Sequence, residues 1–123
     1  MANNPVGWFE IYVQDMKRAS RFYEAVFQLQ LAPLGGGGPE MVSFPGDMTT
    51  YGAPGALVRM DGVPSGGNSV LVYFSCADCA VEAGRIPAAG GKVVKEKFPI
   101  GQYGFIALAS DTEGNMFGLH SLR

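Results

Sequence analysis

One pattern of alternation and helical spacing is written twice in this chain, and a repeat of that length admits few folds. Phe9, Ile11 and Val13 alternate with Trp8, Glu10 and Tyr12, the period of two that marks a strand with one apolar face. Asp15 follows as an N-cap, and Met16, Ala19, Phe22, Tyr23, Val26 and Phe27 recur at helical spacing. This predicts a strand over Trp8–Val13 and a helix over Met16–Phe27. Three short strands are expected next, over Leu29–Pro33, Glu40–Phe44 and Gly55–Met60. The Gly35–Gly38 run, read as a mobile rim, and the turn-rich stretch Pro45–Pro54 separate them. From Val70 the order restarts, with a strand to Ala77, an Asp78 cap, a helix over Cys79–Ala89 and a Gly90-Gly91 stop. Pro87 predicts an early end or a kink in that helix. Strands over Lys92–Phe98, Gly104–Leu108 and Asn115–Ser121 complete the second unit. The halves align at an offset of 64, pairing Trp8 with Val72 and Val13 with Ala77. Each βαβββ module buries one sheet face under its helix, and two facing modules leave a cleft between the faces that remain.

A length of 123 residues fits one domain, with module one over about 6–62 and module two over about 68–123. Charged residues are only 16% of the chain, and 9 basic against 11 acidic groups give a net charge of −2 without any like-charge block. That pattern argues against a nucleic-acid partner. The longest apolar stretches, Val70–Phe74 and Phe105–Ala109, are far below the ~20 residues a membrane span needs. Met1–Trp8 shows no basic region followed by an apolar run, so no leader is expected and the cytoplasm is the expected compartment. Cys76 and Cys79 are then free thiols, one on a strand and one at a helix start, which favours packing over a redox pair. The glycine run lacks the Lys-Ser/Thr and the following helix of a phosphate loop. His120 is the only histidine, so any imidazole chemistry must use it.

Within the tandem βαβββ order, Ser20-Arg21-Phe22-Tyr23, Ala88-Ala89-Gly90-Gly91 and Asp111-Thr112-Glu113-Gly114-Asn115 resemble the vicinal oxygen chelate superfamily. That superfamily contains glyoxalase I, extradiol dioxygenases and bleomycin-resistance proteins. Tyr103-Gly104-Phe105-Ile106 and Gly118-Leu119-His120-Ser121 are similar to its short glyoxalase-like members. The resemblance implies an α+β fold of tandem βαβββ modules whose sheets form a curved cleft. It also implies ligand positions for a metal ion at Trp8, Val72, Gly118 and Leu57, or Arg59 in a shifted register. None of these supplies a carboxylate, imidazole or thiolate donor, so no metal and no cofactor are expected.

Two steps along each strand, the same alternation places Glu10, Phe74, Arg59 and His120 in a second layer facing the cleft. Glu10 is expected beside Arg59 on one ladder, with Tyr12, Cys76, Met116 and Tyr103 lining the same space. A carboxylate, a guanidinium and an imidazole among aromatics suit a polar anchor in an apolar pocket, and equally a paired structural network. Three functions follow. The first is a homodimeric binding protein for a small apolar or aromatic molecule. The second is a metal-independent lyase or isomerase using Glu10 and His120 as acid and base. The third is a metal-dependent glyoxalase or dioxygenase-like enzyme.

Overall fold

In the computed structural model, which describes residues 5–35, 37–47 and 49–123, each half of the chain runs from a strand through an aspartate cap into a helix and then three strands. Gly36 of the glycine run, Met48 of the turn-rich stretch and residues 1–4 lie outside the described residues. The first module comprises β1 (Phe9–Tyr12), α1 (Met16–Phe27), β2 (Ala32–Pro33), β3 (Glu40–Ser43) and β4 (Gly55–Arg59). The second comprises β5 (Tyr73–Ser75), α2 (Cys79–Arg85), β6 (Lys92–Pro99), β7 (Phe105–Ser110) and β8 (Met116–Ser121), with a 3-10 turn at Gly101–Tyr103. Two four-stranded sheets result, in the order β1-β4-β3-β2 and β5-β8-β7-β6. The first and last strands of each module pair in parallel, and the other neighbours pair antiparallel.

Local chemistry accounts for the elements. Asp15 Oδ1 accepts from Arg18 N at 3.0 Å, and Met16, Ala19, Phe22, Tyr23 and Val26 form the buried stripe of α1. Asp78 Oδ1 accepts from Ala80 N at 3.0 Å, and α2 stops at Arg85, two residues before Pro87. The early end expected from Pro87 is therefore what the chain adopts. Two strands, β2 and β5, fall at least three residues short of their sequence patterns. Leu29 and Leu31 pack on the core ahead of β2, and Val70–Val72 precede β5, with only the Val72 carbonyl bonded to β8, from Gly118 N at 2.9 Å.

Both helices pack into one core that draws on both modules, and Arg85 Nη1 donates to Val26 O at 3.0 Å between them. The outer edges are protected: β2 is two residues long and includes Pro33, while β6 carries Lys92, Lys95 and Lys97. The inner edges, β1 and β5, adjoin, with the Phe9 and Phe74 rings 6.1 Å apart.

The turn between β7 and β8 fixes that arrangement. Asp111 accepts from Glu113 N and Asn115 N, both at 2.8 Å, and from Tyr23 OH at 2.7 Å. Burial, and then the Asp111 carboxylate, hold the Tyr23 phenol well above its ordinary value. Glu113 accepts from Gln14 N and Asp15 N, each at 2.9 Å, and Asn115 Nδ2 donates to Tyr12 O at 2.9 Å. A turn of the second module thereby orients β1 and the start of α1 in the first.

Candidate functional site

Register decides which side chains reach the space between the modules. β1 pairs Phe9 with Gly55, Glu10 with Ala56 and Ile11 with Leu57. Ile11 and Leu57 face the core, and Trp8, Glu10 and Tyr12 share the opposite face. Leu57 is therefore fully buried rather than cleft-facing. Glu10 neighbours Ala56, not Arg59, which corrects the expected ladder. Arg59 sits at the exposed end of β4, where Nη1 binds Asp61 Oδ1 at 3.2 Å.

The second module differs by one position from the expected face. β5 pairs Tyr73 with Gly118, Phe74 with Leu119 and Ser75 with His120. Phe74 thus faces the core, and Tyr73 and Ser75 stand on the open side with His120. The caps explain the slip. Asp78 stands 63 residues after Asp15, so Phe74 corresponds to Ile11, whereas an offset of 64 exchanges the two faces of the strand.

Between the unpaired inner edges runs a groove of about 760 Å³, a size that suits a small-molecule site. Its floor is the aromatic core itself: Phe9, Phe44 and Phe74 line it, and Phe74 lies 4.6 Å from the Phe27 ring. Trp8 and Glu10 contribute one wall, Val72, Tyr73 and Ser75 the other, and Asp47 and Tyr51 reach it from the β3–β4 connection. A cavity of about 180 Å³ shares Glu10 and Val72 with it and adds Tyr12 and Met116.

Glu10 is the polar centre of the first wall. Trp8 Nε1 donates to its Oε2 at 3.2 Å, and Tyr12 OH donates to its Oε1 at 2.8 Å. That bond to the carboxylate pushes the Tyr12 phenol above its ordinary value. Both donors are neutral, so they fix the orientation of the Glu10 carboxylate without forming an ion pair with it.

The seam therefore gathers Trp8, Glu10, Tyr12, Val72, Phe74 and Met116. It does not gather the remaining residues read from the sequence. His120 lines neither cavity, and its Nε2 lies 2.7 Å from Tyr103 O. A carbonyl only accepts, so that nitrogen carries the proton and ties the 3-10 turn to β8. Gly118 is covered by the Tyr73 ring. Sequence reasoning missed Tyr73, Tyr51 and Asp47. Counting back from the two capping aspartates locates Tyr73, whereas no local signal marks the other two.

The residues do not fit a metal centre. Trp8, Val72, Gly118 and Leu57 bring no hard donor, Arg59 brings a cation, and no group of three or more His, Cys, Asp or Glu is placed to hold an ion among the described residues.

Comparison with known proteins places this geometry in context. The family model described as Glyoxalase/Bleomycin resistance protein/Dioxygenase superfamily matches residues 6–119. No curated protein matches the chain. Among solved structures, it is similar to TnmS3, an antibiotic binding protein from Streptomyces sp. CB03234. The two are 25% identical with a TM-score of 0.67, and 98% of each chain is covered. A glyoxalase-related enzyme from Fulvimarina pelagi shares 18% identity and a TM-score of 0.71 over 96% of this chain and 88% of that one. Glyoxalase I from Zea mays shares 22% identity and a TM-score of 0.70, over 93% of this chain but only 43% of the maize chain.

Proposed function

We propose that this chain, which belongs to the glyoxalase/bleomycin resistance protein/dioxygenase superfamily, captures a small apolar or aromatic molecule in the β1–β5 groove without turning it over. The observation that carries this reading is the groove itself, with an aromatic floor, Trp8 and Tyr73 on its rims, and one oriented carboxylate. Burial of an aromatic body against such a floor supplies affinity, and the carboxylate fixes orientation. The antibiotic-binding neighbour supports a binding role for the fold. Acid–base turnover finds less support, because Glu10 and His120 do not line one cavity within the chain.

A screen of aromatic compounds by thermal shift, followed by assay of the compounds for chemical change, tests the reading. Ligands should raise the melting temperature and be recovered unaltered. Recovery of a converted product at more than one equivalent per chain would replace capture with catalysis.

We further propose a homodimer in the cytoplasm. Trp8 and Tyr73 are 42% and 46% exposed on the open sheet faces, and no helix among the described residues is long and apolar enough to cross a membrane. Light scattering at tens of micromolar should give twice the chain mass, and a monomer mass would contradict the dimer.

A further inference from the structure

We infer that the molecule held in the groove carries a positive charge, as a protonated amine on an apolar or aromatic body. The inference rests on the groove being a binding site and goes beyond that reading by naming the ligand's charge. Among the described residues that line the groove, two side chains are charged at neutral pH, Glu10 and Asp47, and both are carboxylates; no Lys, Arg or His lines it.

Among the described residues, neither carboxylate is in an ion pair. The described ion pairs involve Glu113, Asp61 and Asp78, and the described side chains bonded to Glu10 are the neutral Trp8 and Tyr12 donors. An ionised carboxylate has about four acceptor sites, so Glu10 retains capacity for an N–H donor. Asp47 accepts from Thr49 N and Thr49 Oγ1 at 2.7 and 2.6 Å, and from Thr50 N at 3.0 Å, through Oδ1 alone. Those bonds, the Thr49 hydroxyl first, hold its carboxyl below the ordinary range and keep it charged. Its Oδ2 remains available.

The aromatic rims act in the same direction. Trp8, Tyr51 and Tyr73 offer ring faces that attract a cation electrostatically, and the apolar floor formed by residues such as Phe44 focuses the field of Glu10 into the groove. An anion meets two like charges there, and a neutral aromatic gains only burial. An ammonium group gains burial, carboxylate pairing and ring attraction together.

Three compounds of one shape separate these cases: 4-phenylbutylammonium, 4-phenylbutan-1-ol and 4-phenylbutyrate, each titrated while the fluorescence of Trp8 is followed. Trp8 is the only tryptophan, so the signal reports the groove. The ammonium should bind roughly tenfold tighter than the alcohol, the butyrate weakest, and added salt should narrow the gap. Glu10→Gln keeps an acceptor for Trp8 Nε1–H and can donate its amide N–H to the Tyr12 hydroxyl oxygen, and it should remove most of the ammonium's advantage over the alcohol. Asp47→Asn, on an exposed loop, should reduce it independently and gives a second reading where Glu10→Gln folds poorly. Equal or tighter binding of the alcohol, or of the butyrate, overturns the charge assignment while leaving the groove as a binding site. Failure of all three to bind at millimolar concentration overturns both.

Discussion

Glu113 Oε2 accepts from Arg18 Nε at 2.7 Å, and its Oε1 accepts from Arg18 Nη2 at 2.9 Å, joining the β7–β8 turn of one module to α1 of the other. The Glu113 side chain is fully excluded from solvent. Burial alone raises a carboxyl pKa, but the Arg18 guanidinium, the Asp15 and Gln14 N–H groups and the Thr112 hydroxyl outweigh it and hold Glu113 down to about 2. A depressed folded-state pKa means that the unfolded chain takes up the proton first as pH falls. This contribution, roughly 3 kcal/mol, is complete above about pH 5 and is lost between there and about pH 2. Glu113→Gln should lower stability at pH 7, because it removes the buried charge that the Arg18 guanidinium and the Gln14 and Asp15 N–H groups bind, and should flatten the acid limb of stability against pH. Urea unfolding from pH 7 to pH 2.5 checks both, and a variant whose stability falls as steeply as the parent's would refute the assignment.

Cys76 is half-buried at the end of β5, and burial, followed by the nearby Glu82 carboxylate, pushes its thiol up to about 12. The thiolate is the reactive form. At pH 8 the folded protein should therefore alkylate roughly a thousandfold more slowly at Cys76 than a free thiol does. Mass spectrometry of iodoacetamide-treated protein should show both cysteines modified only after unfolding. Rapid labelling of the folded chain at Cys76 would disprove the shift.

Each module lays an aromatic ring over a glycine of its last strand. A Cβ on Gly55 would stand 2.3 Å from the Phe9 ring, and one on Gly118 would stand 2.3 Å from Tyr73. Phe9 is packed between Phe44 and Phe74, whereas Tyr73 is 46% exposed and free to turn outward. Gly55→Ala should thus cost about 1–3 kcal/mol through overpacking, and Gly118→Ala clearly less. Thermal denaturation of the two variants compares them, and equal losses would contradict the packing argument.

The donor set predicts weak metal retention. Tag-free protein should carry divalent metal well below one equivalent per chain by elemental analysis, and ligand binding should survive chelation. A tightly held equivalent of iron, manganese, nickel or zinc, lost together with ligand binding, would require a ligand set other than Trp8, Val72, Gly118 and Leu57 or Arg59.

The order of elements was legible because its signals are local. Asp15, Asp78 and the stripe Met16–Val26 specify two helices by capping and periodicity, and Pro87 marks the end of α2. The faces of β5 were not legible. Tyr73-Phe74 carries two aromatics in succession, so alternation alone does not say which one enters the core, and a one-residue slip exchanges the faces. The β1–β4 register was equally hidden, because it is set by the close approach of Phe9 to Gly55 across 46 residues. Of the proposed polar cluster, Glu10 reached the groove with Trp8. Arg59 went to the end of β4 and His120 to Tyr103, both consequences of register rather than of composition.

The indole N–H of Trp8 offers the most direct test of the groove as the binding site. Its Nε1–H gives the only tryptophan side-chain cross-peak in a proton–nitrogen NMR spectrum, and it donates to Glu10 at the groove wall. Titration with a compound that stabilises the protein should move this peak saturably, together with the backbone amides of Val72 and Tyr73. Saturable shifts confined to other regions, with the Trp8 indole, Val72 and Tyr73 unmoved, would contradict it.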